Sequence, residues 1–201
     1  MKLLLYCTKS KPYLLKTTEC LTDVCNKYFT SNNSLLKNCA YNGKIVAECD
    51  FEVEKIECRI SIGMSGIHDE YTTKSLGENE LLYASKIDEI TFINYLKGKN
   101  GYAIHIENLH IFDEPMELNE VYKDNEALKY IEEVWENYGV PDIDEYDDVI
   151  LKNAPQNMMY AYGITTGEKY ILISINTEQL CRILNREQTI IVRKKVLKEL
   201  I

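Results

Sequence analysis

The chain has 201 residues, 45% of them hydrophobic and 27% charged, with a formal net charge of −9. That length suits one domain with insertions, and this apolar share can bury an ordinary core without disulfide or metal staples. The acidic total excludes a uniformly basic nucleic-acid coat, and no stretch approaches the roughly 18 apolar residues of a membrane span.

Lys2 to Thr8 reads as a buried strand that Ser10-Lys11-Pro12 breaks. In 13–42, Leu14, Leu15, Leu21, Val24 and Cys25 could form a helical face, and Asn42-Gly43 signals a turn. From Lys44 to Ile56 the odd positions Ile45, Ala47, Cys49, Phe51 and Val53 alternate with a mostly polar even face. That period of two predicts a strand exposed on one side, running on towards Ile62. Residues 67–79 are polar and read as a loop. Ser85 is placed to cap one helix whose apolar face is Ile87, Ile90, Ile93 and Leu96, closed by Gly98. Two short strands follow, 101–106 and 109–112, with Asp113-Glu114-Pro115 as a stop. Leu128, Ile131, Val134 and Trp135 predict an amphipathic helix over 125–138, ahead of the acidic run 142–148. A strand at 158–162 leads to the last segment: strand 170–175, a cap at Asn176 or Thr177, helix 178–184 and strand 189–192.

Charge is unevenly placed along this pattern. Residues 107–152 hold fifteen Asp and Glu against three Lys, a balance of −12. Residues 182–201 stand at +4 and residues 1–20 at +3, so the two ends would form a cationic surface if they met. The seven Cys are an odd number with no C-x-x-C pair, and they read as reduced core thiols rather than zinc ligands or disulfides. Polar residues end the apolar start at Thr8, too early for a signal peptide, so a cytoplasmic location is expected.

Four blocks, at 5–14, 42–48, 101–118 and 154–160, together resemble the ASCH family of the PUA-like superfamily. Leu5 to Leu14, LYCTKSKPYL, is similar to the Y-C-T-K-x-K-P-Y-L block of its phage-type members. NGKIVAE at 42–48 is similar to their N-G-K-I-V-G-E strand. GYAIHI at 101–106, with Leu109 to Asp113, Pro115 and Leu118, resembles G-x-x-W-H-I-x-x-L-x-I-Y-D-x-P-x-x-L. APQNMMY at 154–160 resembles the closing P-P-Q-S-W-C-Y-V strand. The family's opening segment is missing before Lys2 and has its counterpart at Ile173 to Lys194. The resemblance therefore implies an α+β fold, a PUA-like mixed β-barrel with flanking helices, spanning 1–201 as one domain. Within it lie an acidic helical insertion at 120–152 and a relocated β-α-β segment at 170–198. A circular permutation, the start of a lost tandem copy and a domain-swapped dimer each account for that order.

The resemblance implies an RNA- or nucleotide-binding module of phage or mobile-element origin, monomeric or swapped, with no cofactor, metal or membrane partner. Some ASCH proteins resemble amidohydrolases of acetylated cytidine, but their implied catalytic Lys and Thr correspond here to Gln188 and Ile191. A neutral amide cannot serve as an amine base, so the chain leans away from that enzyme. A hydrolase or nuclease of modified nucleosides or RNA is the alternative, and an inhibitor that meets a protein partner through the acidic insertion is a further one. Lys9, Lys11, Arg193 and Lys194 are the phosphate-binding candidates, with Thr189 retained from the motif. Tyr13 and Tyr102, like Tyr6 and Tyr160, are candidates to stack bases, and His105, Gln156 and Asn157 are polar candidates beside them.

Overall fold

The structure is a computed structural model and describes residues 1–8, 43–63, 66–122, 151, 153–163 and 168–201. In chain order the strands and helices are β1 (Lys2–Cys7), β2 (Ile45–Gly63), β3 (Gly66–Thr72), α1 (Glu78–Ser85), α2 (Glu89–Leu96), β4 (Gly101–Met116), β5 (Val121–Tyr122), β6 (Met158–Gly163), β7 (Lys169–Ile175), α3 (Thr177–Leu184) and β8 (Ile190–Arg193). They divide into two compact units, Met1–Asp50 with Leu109–Cys181 and Phe51–Asn108 with Arg182–Ile201. The strand path is β5-β6-β7-β1-β2-β4-β8, with β3 on β2 off that path. This is an α+β chain with a mixed sheet. Among the described residues the sheet is open, not the closed barrel expected.

In the first unit β1 is apolar on both faces, and it is buried from Leu3 to Cys7. A strand covered on both sides needs a continuous apolar run, and its backbone groups need partners on both edges. Antiparallel β2 supplies one edge, with Leu3 opposite Cys49 and Leu5 opposite Ala47. Parallel β7 supplies the other, in unbroken register from Lys2 opposite Tyr170 to Cys7 opposite Ile175. One core packs Leu4, Tyr6, Ile45, Leu118, Val121, Leu151, Ala161 and Leu172. Tyr6 is only 4% exposed there, so it cannot offer its ring to a base. α3 starts at the expected cap: Asn176 Oδ1 accepts from the Gln179 backbone N–H at 2.8 Å. Its Leu180, Ile183 and Leu184 are buried, as the helical spacing requires.

The second unit departs further from the sequence pattern. Residues 67–72, expected in a loop, belong to β3, which pairs with β2 from Glu57 opposite Thr72 to Gly63 opposite Gly66. Polar side chains hid this strand because much of the hairpin faces water, where a period-two apolar signal has no reason to exist. Ile60, Ile62 and Ile67 are likewise exposed on one of its faces. The helix expected from a Ser85 cap is α2, which starts later, after Asp88, and a separate helix not expected from the sequence, α1, precedes it. Ser85 ends α1, buried, with its hydroxyl donating to the Leu82 carbonyl at 3.3 Å. Asp88 caps α2 by accepting from the Thr91 N–H at 2.9 Å. Phe92 and Leu96 are the buried residues of α2, while Ile90, expected on the apolar face, is 73% exposed.

The second core joins Ile56, Tyr71, Leu81, Phe92, Leu96, Ala103, Ile190 and Val192. Tyr71 and Phe92 meet edge to face, with ring centroids 5.4 Å apart. Gly101 lets β4 pass close to α2, since a Cβ there would lie 2.8 Å from Leu96 Cδ2 and 3.2 Å from the Arg193 carbonyl oxygen. Two long strands serve both units. β2 has Ile45, Val46, Ala47 and Cys49 buried in its first part, so both faces are covered there, and Ile56 alone of 51–62 buried in its second. β4 runs past the expected stop to Met116 and contains Asn108 at φ 47°, a left-handed residue that Asn tolerates better than most.

Cys49 and Cys58 are free thiols. Burial first, then the Asp50 and Glu48 charges, push the Cys49 thiol up to about 12. The thiolate is the reactive form, so iodoacetamide at neutral pH should leave Cys49 unmodified in the native protein and label it in denaturant. Native labelling, read by peptide mass spectrometry, would contradict this burial. Phe92→Ala should cost about 3–5 kcal/mol of stability, read from urea midpoints.

Candidate functional site

β4 and β8 pair antiparallel, with Tyr102 opposite Arg193, Ala103 opposite Val192, Ile104 opposite Ile191 and His105 opposite Ile190. Successive strand residues point to opposite faces. Ala103, Val192 and Ile190 belong to the second core, so His105 shares that face at the core's margin. Tyr102 and Arg193 form a cross-strand pair on the other face. The two tyrosine and histidine candidates of this strand therefore cannot address the same side of one ligand group.

Arg193 is partly buried, and its Nη1 donates to the Val192 carbonyl at 3.1 Å. Burial pulls its pKa below the ordinary guanidinium value, with the Tyr95 hydroxyl acting the other way. Lys194 is exposed and sits 4.7 Å over the Tyr95 ring. Thr189 has an exposed side chain, while its backbone N–H donates to Ala84 and its carbonyl accepts from the Ile106 N–H. Thus Tyr102, His105, Thr189, Arg193 and Lys194 all fall in the second unit, on β4, β8 and their flanks. Gln156 is exposed ahead of β6 in the first unit. Tyr160 carries Lys169 Nζ 3.8 Å over its ring. Lys9, Lys11 and Tyr13 lie outside the described residues, as do the 125–138 helix and the acidic run 142–148.

The positions implied for catalysis hold no reactive group. Gln188 is 2% exposed, and its Nε2 donates to the Ile190 carbonyl at 2.7 Å, clipping the turn that enters β8. Ile191 is fully buried.

A polar cluster that sequence reasoning missed lies instead on β2 and β4. Glu54 is two residues before the core residue Ile56, hence on the same strand face. Its Oε2 accepts from Thr73 Oγ1 at 2.8 Å, from Ser75 Oγ at 2.5 Å and meets His105 Nε2 at 3.1 Å. The Glu54 and His105 side chains are 13% and 22% exposed. Thr73 in turn braces its own loop, where its Oγ1 accepts from the Ser75 and Leu76 backbone N–H groups. Glu48, Glu52, Glu54 and Glu57 look alike on the strand; only the arrival of the 73–76 loop and of β4 singles out Glu54. Among the described residues no cluster of three or more His, Cys, Asp and Glu is placed to hold a metal. No described helix is long and apolar enough to cross a membrane. No family model, curated protein or solved structure matches the chain.

Burial opposes the Glu54 charge, but the hydrogen bonds from Ser75, Thr73 and His105 outweigh it and hold the carboxyl below its ordinary range. A depressed carboxyl pKa contributes stability that is present above the unfolded value of about 4.3 and lost as pH falls through the folded value. Glu54→Gln should therefore be less stable than wild type near neutrality. The gap in urea midpoint should close as pH drops below the ordinary carboxyl range, whereas a gap independent of pH would refute this account of Glu54.

Proposed function

We propose that this chain is a PUA-like, ASCH-type module with permuted segment order, and that it binds single-stranded RNA or nucleotides through the β4–β8 surface. The observation that carries this reading is the register that sets Tyr102 directly opposite Arg193, with Lys194 next on the chain. An aromatic ring beside guanidinium and ammonium groups suits single strands: the ring stacks a base, and the cations meet phosphates. β8 is four residues long and ends the strand path, so its outer edge has no strand partner among the described residues.

The permuted order is supported by the incorporation of the C-terminal segment. Its first strand pairs with β1 over six residues in parallel register, and its second pairs with β4. A leftover of a tandem copy would have no need to complete both units. The buried amide of Gln188 and the buried Ile191 favour binding over the amidohydrolase chemistry of the resembled family.

Fluorescence anisotropy with a labelled RNA of about ten nucleotides at low salt tests the reading. Wild type should bind with an affinity that falls as salt rises. Lys194→Gln should weaken binding and lower the salt slope by about one. Tyr102→Ala should cost about 1–3 kcal/mol of affinity. Absence of binding at low salt, or variants indistinguishable from wild type, would overturn it.

A further inference from the structure

The Glu54–His105 pair constrains which ligand groups the module can accept. Glu54 Oε2 faces three donors, and an ionised carboxylate offers no proton in return. The contact with His105 therefore requires the hydrogen on Nε2. In the neutral ring Nδ1 then carries a lone pair and can only accept. No described residue donates to Nδ1, although the ring is 22% exposed. The loop that supplies Thr73 and Ser75 is itself hydrogen-bonded internally, with Thr73 N–H donating to Leu76 O at 2.9 Å. The acceptor is thus held on two paired strands and a braced turn rather than on a free side chain.

We propose that His105 Nδ1 accepts a hydrogen bond from the exocyclic amine of a nucleobase, adenine N6 or cytosine N4, and so selects amino-bearing bases. This rests on the RNA-binding reading and adds a base class to it. Hypoxanthine and uracil present a carbonyl oxygen at the same position, which would face a lone pair and leave both acceptors unpaired. His105 is three residues from Tyr102, about 10 Å along the strand and on the opposite face, so the two contact different nucleotides. The ligand is a strand that passes the β8 edge rather than a single nucleotide.

The experiment compares oligo(A) with oligo(I), and oligo(C) with oligo(U), by anisotropy at a pH where ring ¹⁵N shifts show a neutral imidazole. Wild type should favour the amino-bearing member of each pair by about tenfold. His105→Phe should bring both ratios to about one. Glu54→Gln, which frees the tautomer, should also shrink the ratios, whereas Lys194→Gln should weaken all four ligands and preserve them. Ring ¹⁵N shifts of the labelled wild type, recorded without ligand, should show a protonated Nε2 and an unprotonated Nδ1. Equal binding of the paired oligomers, or a protonated Nδ1 in the neutral ring, would overturn the acceptor and leave RNA binding standing. No binding to any oligomer would overturn both.

Discussion

The parallel pairing of β1 with β7 is the constraint on which the first unit depends. β1 is buried on both faces, so its peptide groups cannot turn to water and must be satisfied by neighbouring strands. β2 satisfies one edge, and the other is satisfied only by a strand more than 160 residues away in sequence, Tyr170 standing opposite Lys2. Detaching β7 would expose the N–H and C=O groups along a six-residue edge of β1 and the side chains of Ile171, Ile173 and Ile175 on β7 itself. The C-terminal segment is therefore part of the core-forming sheet rather than an appendage to it.

Two strands carry the chain through both units, and each shows a local break in its pattern. In β2 Ile45, Val46, Ala47 and Cys49 are buried in the first part, on both faces, and Ile56 alone of 51–62 is buried in the second, so a strand covered on both faces becomes one covered on the Ile56 face. That change leaves Glu54 on the same face as Ile56, where a carboxylate requires donors, and Thr73, Ser75 and His105 provide them. In β4 the left-handed Asn108 lies at the boundary between the units. The same physical demand explains Gln188. A buried amide must be hydrogen-bonded, and its bond to Ile190 holds the turn into β8.

The surface built on β4 and β8 follows from these supports. Gly101 allows β4 its close approach to Leu96, and Ile190 and Val192 anchor β8 in the second core. Alternation along the paired strands then presents Tyr102 and Arg193 on one face and His105 on the other. A cation whose charge is partly desolvated interacts more strongly with an anion than one in open water, which gives Arg193 its interest beside the exposed Lys194.

What the sequence determined by itself is the set of elements whose signal is local. The apolar runs at 2–8 and 170–175, the Asn176 cap, the spacing of Leu180, Ile183 and Leu184, and the β-branched strand at 190–192 all fold as their residues dictate. Residue types also named Arg193 and Lys194 with Lys9 and Lys11 as cationic candidates, and Tyr102 as one of four tyrosines, because such chemistry is intrinsic to the side chain; the pairing of Tyr102 with Arg193 came only from the β4–β8 register. Tertiary structure alone decided β3, whose polar residues become a strand only by pairing with β2, and the place of Ser85 at the end of α1 rather than at the start of the helix that follows. It also decided the Glu54–His105 contact, which joins positions 51 residues apart. No local pattern can encode which of several similar glutamates meets a histidine. The opposed faces of Tyr102 and His105 are the intermediate case: their odd separation is written in the chain, but which face meets the core is settled only by packing.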